Sequence, residues 1–277
     1  MDRIVFEDVS FSYEGQETIL DCVSTVIEPN MSVVILGNSG GGKSTFLKLA
    51  AGLIVPVKGS VTLEGMKTHR ASKEQLIEFH KRSAIVFQDS GLLSNLTLYD
   101  NLALPLRYHL NAGEAEIKTR VDRILEDMNL SKDKSHFPSQ LSRGERKLAG
   151  ICRGMIIAPE YLFYDEPLQG LDYAAADRVK KVIVRQAMEK RTLLIVEQSL
   201  SFAMKVADKV LVFVDGRKVY DGPVSGLYAS EDPFIQRLVA GRKESTSFYT
   251  TMNQMENQAA GNPAGGKDPA QDGGIGA

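Results

Sequence analysis

Gly37-Asn38-Ser39-Gly40-Gly41-Gly42-Lys43-Ser44 has the residue types and spacing that a bound polyphosphate requires. The run fits the pattern G-x-x-x-x-G-K-[ST], in which glycines let successive backbone N–H groups turn inward and a lysine adds a full charge. Ser44 offers a hydroxyl to a magnesium ion. The flanks suit the chemistry. Val33-Val34-Ile35-Leu36 before the loop is an apolar run of the kind found in buried parallel strands. Thr45 to Ala51 after it reads as a helix, whose N-terminus adds positive potential. A glycine-rich turn with an incidental Lys-Ser would lack both flanks. The spacing implies a nucleoside triphosphate site.

A second constellation lies downstream in Tyr161-Leu162-Phe163-Tyr164-Asp165-Glu166-Pro167. An apolar strand ending in two carboxylates would set Asp165 near the magnesium held at Ser44. Glu166 is then placed to polarise an attacking water. A core strand leaving into an acidic turn would look the same. Its position after a phosphate loop favours the chemical reading.

These residues need a scaffold, and the rest of the chain supplies one. Strand patterns occur at Arg3–Tyr13, Val23–Ile27, around Val61-Thr62-Leu63, and at Ala84–Phe87, Tyr161–Tyr164, Leu193–Val196 and Val210–Val214. Lys73–Arg82 reads as a helix, and Ile117, Val121, Ile124, Leu125 and Met128 share one helical face. Alternating strands and helices around a phosphate loop predict a mostly parallel sheet covered by helices. The helical Glu114–Met128 stretch reads as an insertion between two strands. From about Ser245 the chain loses periodicity and is expected to be disordered.

Bulk composition excludes several classes. The 277 residues carry a net charge of −2, which argues against nonspecific nucleic-acid binding, and 43% are hydrophobic, enough for a sizeable core. Cys22 and Cys152 form no disulfide framework or metal spacing, implying a reducing compartment. No apolar run nears the ~20 residues that span a bilayer. The polar N-terminus is unlike a signal peptide.

Leu141-Ser142-Arg143-Gly144-Glu145, followed by a helix and the Asp165-Glu166 strand, resembles the Leu-Ser-Gly-Gly-Gln signature of ABC-type ATPases. Arg143 and Glu145 depart from it; Ser142 and Gly144 match. The resemblance covers roughly residues 1–230. It implies an α/β P-loop NTPase of the ABC type, mostly parallel, with an antiparallel β lobe and a helical subdomain near residues 89–158. A C-terminal helix is expected at residues 231–244 and a disordered tail at 245–277. In this family two subunits sandwich two ATP molecules, each signature closing over the other's phosphate loop. Ser142 and the Gly144 backbone at a helix start suit an anion; a plain capping box of Ser142 and Glu145 fits equally well. The resemblance further implies that Gly37 to Thr45 hold the nucleotide. Tyr13, in Phe11-Ser12-Tyr13, would stack on adenine, unless it simply ends an amphipathic strand. Gln88 would touch Mg2+, and Asp172, in Gly170-Leu171-Asp172, would cross between subunits.

One position departs sharply. In Leu194-Ile195-Val196-Glu197-Gln198-Ser199, Gln198 stands where the family has histidine. An amide can donate one hydrogen bond but cannot carry a proton's charge. If Gln198 takes over that role, its amide donates to the γ-phosphate and its carbonyl faces the loop holding Glu166. Hydrolysis is expected to survive; the alternatives are a nucleotide-gated subunit with little turnover, or the ATPase of a different ABC importer. Gly91 to Asn101, Leu104 to Arg107 and Asp232 to Gly241 are similar to ATPases of the Mla/Mce lipid-transport type. That likeness implies a second copy, a transmembrane permease dimer, an MCE lipid-binding protein and a small regulatory subunit as partners. It places the chain on the cytoplasmic side of the inner membrane.

Overall fold

The computed structural model describes residues 3–15 and 17–241; the expected tail lies outside them. Along the chain come β1 (Ile4–Phe11), β2 (Leu20–Ile27), β3 (Ser32–Gly37), α1 (Lys43–Ala50), β4 (Lys58–Leu63), β5 (Met66–Lys67), α2 (Lys73–Lys81) and β6 (Ser83–Val86). Then follow α3 (Leu98–Leu110), α4 (Glu114–Asp127), α5 (Arg143–Met155), β7 (Tyr161–Asp165), α6 (Tyr173–Met188), β8 (Thr192–Val196), α7 (Leu200–Val206), β9 (Lys209–Val214) and β10 (Arg217–Gly222). A last helix spans residues 233–241.

The main sheet has the order β10-β9-β3-β8-β7-β6, parallel except for β10 at one edge. Every residue of β7 and β8 is buried, which is why they read as unbroken apolar runs. Their side chains still alternate between two cores. Val34, Leu36, Leu162, Tyr164, Leu193 and Ile195 face α3 to α7 on one side. Val33, Ile35, Phe163, Leu194 and Val196 face a second, antiparallel sheet of order β2-β1-β4-β5 on the other. Phe46 of α1 joins the layers, stacked on Phe6 with ring centres 4.3 Å apart and tilted against Phe213 at 5.1 Å. The helix carrying the phosphate loop is thereby fixed to both sheets.

α3 and β10 escaped the sequence reading for physical reasons. The Leu92–Leu98 stretch leads into α3, hidden by Pro105 inside that helix. Thr97 caps it by accepting from the Asp100 N–H (3.1 Å), and the buried Asn101 side chain binds the carbonyls of Leu93, Leu96 and Thr97. Strand β10 is half exposed and polar, so it lacks the apolar run used to find the others.

β3 ends where β9 comes closest. Gly37 pairs with Phe213 at φ +150, and a Cβ there would overlap the Phe213 carbonyl oxygen. Gly37→Ala should therefore lower unfolding free energy by about 1–3 kcal/mol through overpacking and backbone strain. Urea unfolding of the two forms measures it; a change below ~0.5 kcal/mol would show that the strand end yields freely.

Candidate active site

The phosphate loop emerges from β3 and is closed by Gly42, the N-cap of α1. Gly42 has no side chain to spend on the first-turn N–H groups, so these remain for an anion. Lys43 curls back over the loop, its Nζ donating to Asn38 O (2.6 Å) and Gly37 O (3.2 Å). Asn38 is tied to the turn after β9 through Asp215 Oδ1 (2.8 Å). Burial pushes the Lys43 ammonium below its ordinary pKa, opposed by the charges of Glu166 and Asp165.

Parallel pairing of β7 with β8, and of β8 with β3, brings the two carboxylates to this loop. The Ser44 hydroxyl donates to Asp165 Oδ1 at 2.8 Å. Burial raises the Asp165 carboxyl, which the Ser44 bond partly counters. The next residue, Glu166, has a left-handed backbone (φ 45), and its N–H binds Val196 O at 3.0 Å. A non-glycine residue at such φ is uncommon and costs energy, so the surrounding turn must enforce it. The turn leaves the sheet direction and delivers the Glu166 side chain to a cleft of about 400 Å³. Residues 39–45, Gln88, Glu166 and Gln198 line this cleft together with Ile19 and Gln169.

Of the residues singled out in the sequence, the structure gathers Ser39, Gly40, Gly41, Gly42, Lys43, Ser44, Thr45, Gln88, Glu166 and Gln198 around one space, with Asp165 bonded to Ser44. Gly37 and Asn38 underpin the loop through their carbonyls. Tyr13, Ser142, Gly144 and Asp172 do not line the cleft of a single chain. Tyr13 stands edge-on to Phe11, 4.9 Å between ring centres. Ser142 and Glu145 form a full capping box on α5, which accounts for the glutamate in the signature. A Cβ on Gly144 would come within 2.7 Å of the Ala175 Cβ, so that glycine permits close approach of α5 and α6. Asp172 caps α6 by accepting from Ala175 N (2.8 Å). The Arg143 guanidinium lies against Gly170.

Gln198 lines the cleft with the phosphate loop, and its Nε2 donates to Glu166 Oε1 at 3.1 Å, so the amide nitrogen faces Glu166 where the carbonyl was expected. Only the nitrogen can face a carboxylate oxygen favourably, and this fixes the amide's orientation. Sequence reading also missed four residues. Gln169 bonds Gln88 across the cleft, and Ile19 forms a wall. Lys147, only 2% exposed on α5, donates to Gln88 O (2.5 Å) and Glu166 O (3.4 Å). Glu197, 5% exposed, directly follows β8. A charged residue inside or abutting a buried apolar run was the available signal for the last two.

A family model described as ABC transporter matches residues 20–169, more than half of the 277-residue chain. The chain belongs to the ABC transporter family. Its relatives include the probable ribonucleotide transport ATP-binding protein mkl of Mycobacterium leprae, 32% identical over 265 residues, 93% of this chain and 76% of that one. Another is the glutamate/aspartate import ATP-binding protein GltL of Escherichia coli, 32% identical over 234 residues, 84% of this chain and 95% of GltL. Among solved structures, the dimeric bacterial ABC transporter cassette MJ0796 superposes with a TM-score of 0.74 at 25% identity, covering 80% of this chain and 98% of that one. The chain is thus an ATPase of the ABC family with its P-loop NTPase fold.

The donors at Ser44 and Asp165 fit magnesium: a hydroxyl, a carboxylate and the nearby Gln88 carbonyl are hard oxygen ligands. Among the described residues no group of three or more His, Cys, Asp or Glu could cage a metal alone. A cation here would complete its coordination with water and phosphate oxygens, as magnesium does in nucleotide sites. Among the described residues no helix is long and apolar enough to cross a membrane.

Proposed function

We propose that this ATPase is the motor of a membrane transporter that moves phospholipid or other lipid, working as two copies bound to a permease dimer. The observation that carries the hydrolytic reading is the meeting of phosphate loop, Ser44–Asp165 pair and Glu166 in one cleft. The loop N–H groups and Lys43 hold the ATP phosphates; Ser44, Asp165 and Gln88 hold Mg2+, which neutralises charge developing on the phosphates. Glu166 accepts the proton of the attacking water. Gln198 orients Glu166 through the 3.1 Å bond. Tyr13 and Ile19 flank the base of the nucleotide.

Ser142, Gly144 and Asp172 serve the partner copy's ATP, in keeping with their absence from the lining of their own chain's cleft. The ATPase domain is residues 1–230, with residues 89–158 as the helical subdomain that receives the permease from the cytoplasmic side of the inner membrane. Exposed Leu93, Leu104 and Tyr108 near α3 suit that contact. Closure on two ATP molecules and reopening after hydrolysis shift the permease between conformations through differential affinity.

Lipid as cargo rests on the likeness of residues 91–107 and 232–241 to Mla/Mce-type ATPases, with an MCE lipid-binding protein and a small regulatory subunit completing the assembly. Purifying the tagged chain with its permease from native membranes and identifying bound lipid by mass spectrometry tests it. Co-purification of an amino-acid-binding protein, with no lipid enrichment, would exclude the lipid reading.

A second reading is favoured by one observation: the Gln198 amide occupies Glu166 Oε1, which suits a nucleotide-gated subunit with little turnover. Gln198→Ala separates the two. If Gln198 orients the base, losing its hydrogen bond to the Glu166 carboxylate lowers phosphate release by about tenfold or more with little change in ATP binding. Gln198→His should retain or raise activity. An inactive wild type rescued by histidine supports gating, and equal rates for wild type and alanine remove Gln198 from catalysis.

A further inference from the structure

Glu197 sits between two segments that must keep register for hydrolysis, the turn after β7 and the segment after β8. Its carboxylate accepts three backbone N–H bonds. Oε1 takes Leu168 N (3.2 Å) from the first segment, and Oε2 takes Gln198 N (3.0 Å) and Ser199 N (3.5 Å) from the second. Its own N–H binds Ile35 O of β3 at 3.0 Å, anchoring it behind the phosphate loop. Among the described residues it has no ion-pair partner; the buried Lys147, which feels its charge, bonds to Gln88 O and Glu166 O instead.

A buried carboxylate without a cation is costly unless N–H groups satisfy it. Burial pushes the Glu197 carboxyl up, and the three N–H bonds oppose that shift. Structural connection alone does not require such an arrangement, because β7 and β8 are already joined by five paired positions. What the carboxylate adds lies beyond the strand ends. It holds the Glu166–Leu168 turn, with its left-handed Glu166, against the backbone of Gln198. The amide of Gln198 then meets Glu166 Oε1.

We infer that Glu197 is a positioning residue for hydrolysis, acting through Gln198 by clamping its backbone to the turn that carries Glu166. This rests on Glu166 and Gln198 having the roles given above. Glu197→Gln is the informative variant, because it keeps the size and one acceptor oxygen. Its amide nitrogen must then face either Leu168 N–H or the Gln198 and Ser199 N–H pair, leaving one side without an acceptor.

In the purified full-length chain with ATP and magnesium, kcat should fall about tenfold, the loss of a hydrogen bond to a charged group. Affinity for ATP should stay within about twofold, since no phosphate contact changes. On a Gln198→Ala background the same substitution should lower kcat by less than about twofold, because two residues acting as one unit are not additive. Equal reductions in both backgrounds, or parallel loss of ATP affinity, would overturn the inference. Amide exchange read by mass spectrometry supplies an arm that needs no turnover. Glu197→Gln should speed exchange at residues 166–170 and 197–201 while β3 and β8 stay protected. Unchanged exchange there, or faster exchange throughout the core, also overturns it. A wild type that binds ATP without releasing phosphate would overturn the hydrolytic motor and with it the role of Glu197 in hydrolysis, and the exchange result would then decide only whether Glu197 clamps the two segments.

Discussion

Glu166→Gln is expected to bind ATP as the wild type does and to lose hydrolysis by about a hundredfold to ten-thousandfold, the range assigned to a positioned general base. The substitution is nearly isosteric. The Gln198 amide can still donate to the side-chain oxygen that replaces Oε1, and the Glu166 backbone bond to Val196 O does not depend on the side chain. What disappears is an acceptor basic enough to take a proton from water. With turnover stopped, ATP should hold two chains together, with Ser142 and Gly144 of each over the other's phosphates. Phosphate release measures the first effect and sedimentation with ATP and magnesium the second. Hydrolysis within a few-fold of wild type would remove Glu166 from the role of base. A variant that stays monomeric with ATP bound, in the chain alone and with its permease, would argue against the sandwich.

The strands were legible because a doubly covered parallel sheet leaves no polar alternation. Val33–Leu36, Tyr161–Tyr164 and Leu193–Val196 are apolar throughout and stand in the structure within a residue or so of where they were read. Such runs cannot show which side chain faces which core. That division appears only once pairing sets Val34 and Leu36 on one face and Val33 and Ile35 on the other. Elements without an apolar signature were lost. β10 is polar along its length, and α3 contains a proline.

The site divides the same way. The phosphate loop and the Asp165–Glu166 pair were readable because a contiguous chain segment carries each chemistry, and the structure unites them through a single 2.8 Å bond. Glu197 and Lys147 were not, because the partner that ties each of them to another segment is a backbone atom far away in sequence, although Glu197 also accepts locally from Gln198 N and Ser199 N. Neither Leu168 N for Glu197 nor Gln88 O for Lys147 leaves any trace in residue types. Gln198 falls between: its identity flagged it, but the atom it binds depends on the left-handed turn at Glu166.

Lys43→Ala should weaken ATP binding about tenfold to more than a hundredfold, the effect of losing a charge-assisted contact to phosphate. Lys43 is the one cationic side chain within the phosphate loop, and Glu166 and Asp165 stand close enough to act on its charge. Without it those carboxylates oppose an anionic ligand unaided. Removal also frees the Asn38 and Gly37 carbonyls, so part of the loss comes from a looser loop. Stability without nucleotide should change little, because burial already disfavours the charge in the folded chain. ATP at a hundred times the wild-type Kd contributes about 2.7 kcal/mol to folding, and the same concentration at a hundredfold weaker Kd contributes about 0.4 kcal/mol. Thermal melts of both forms with and without ATP should therefore coincide in its absence and separate in its presence. An equal ATP-induced shift in the two proteins would show that Lys43 does not hold the phosphates.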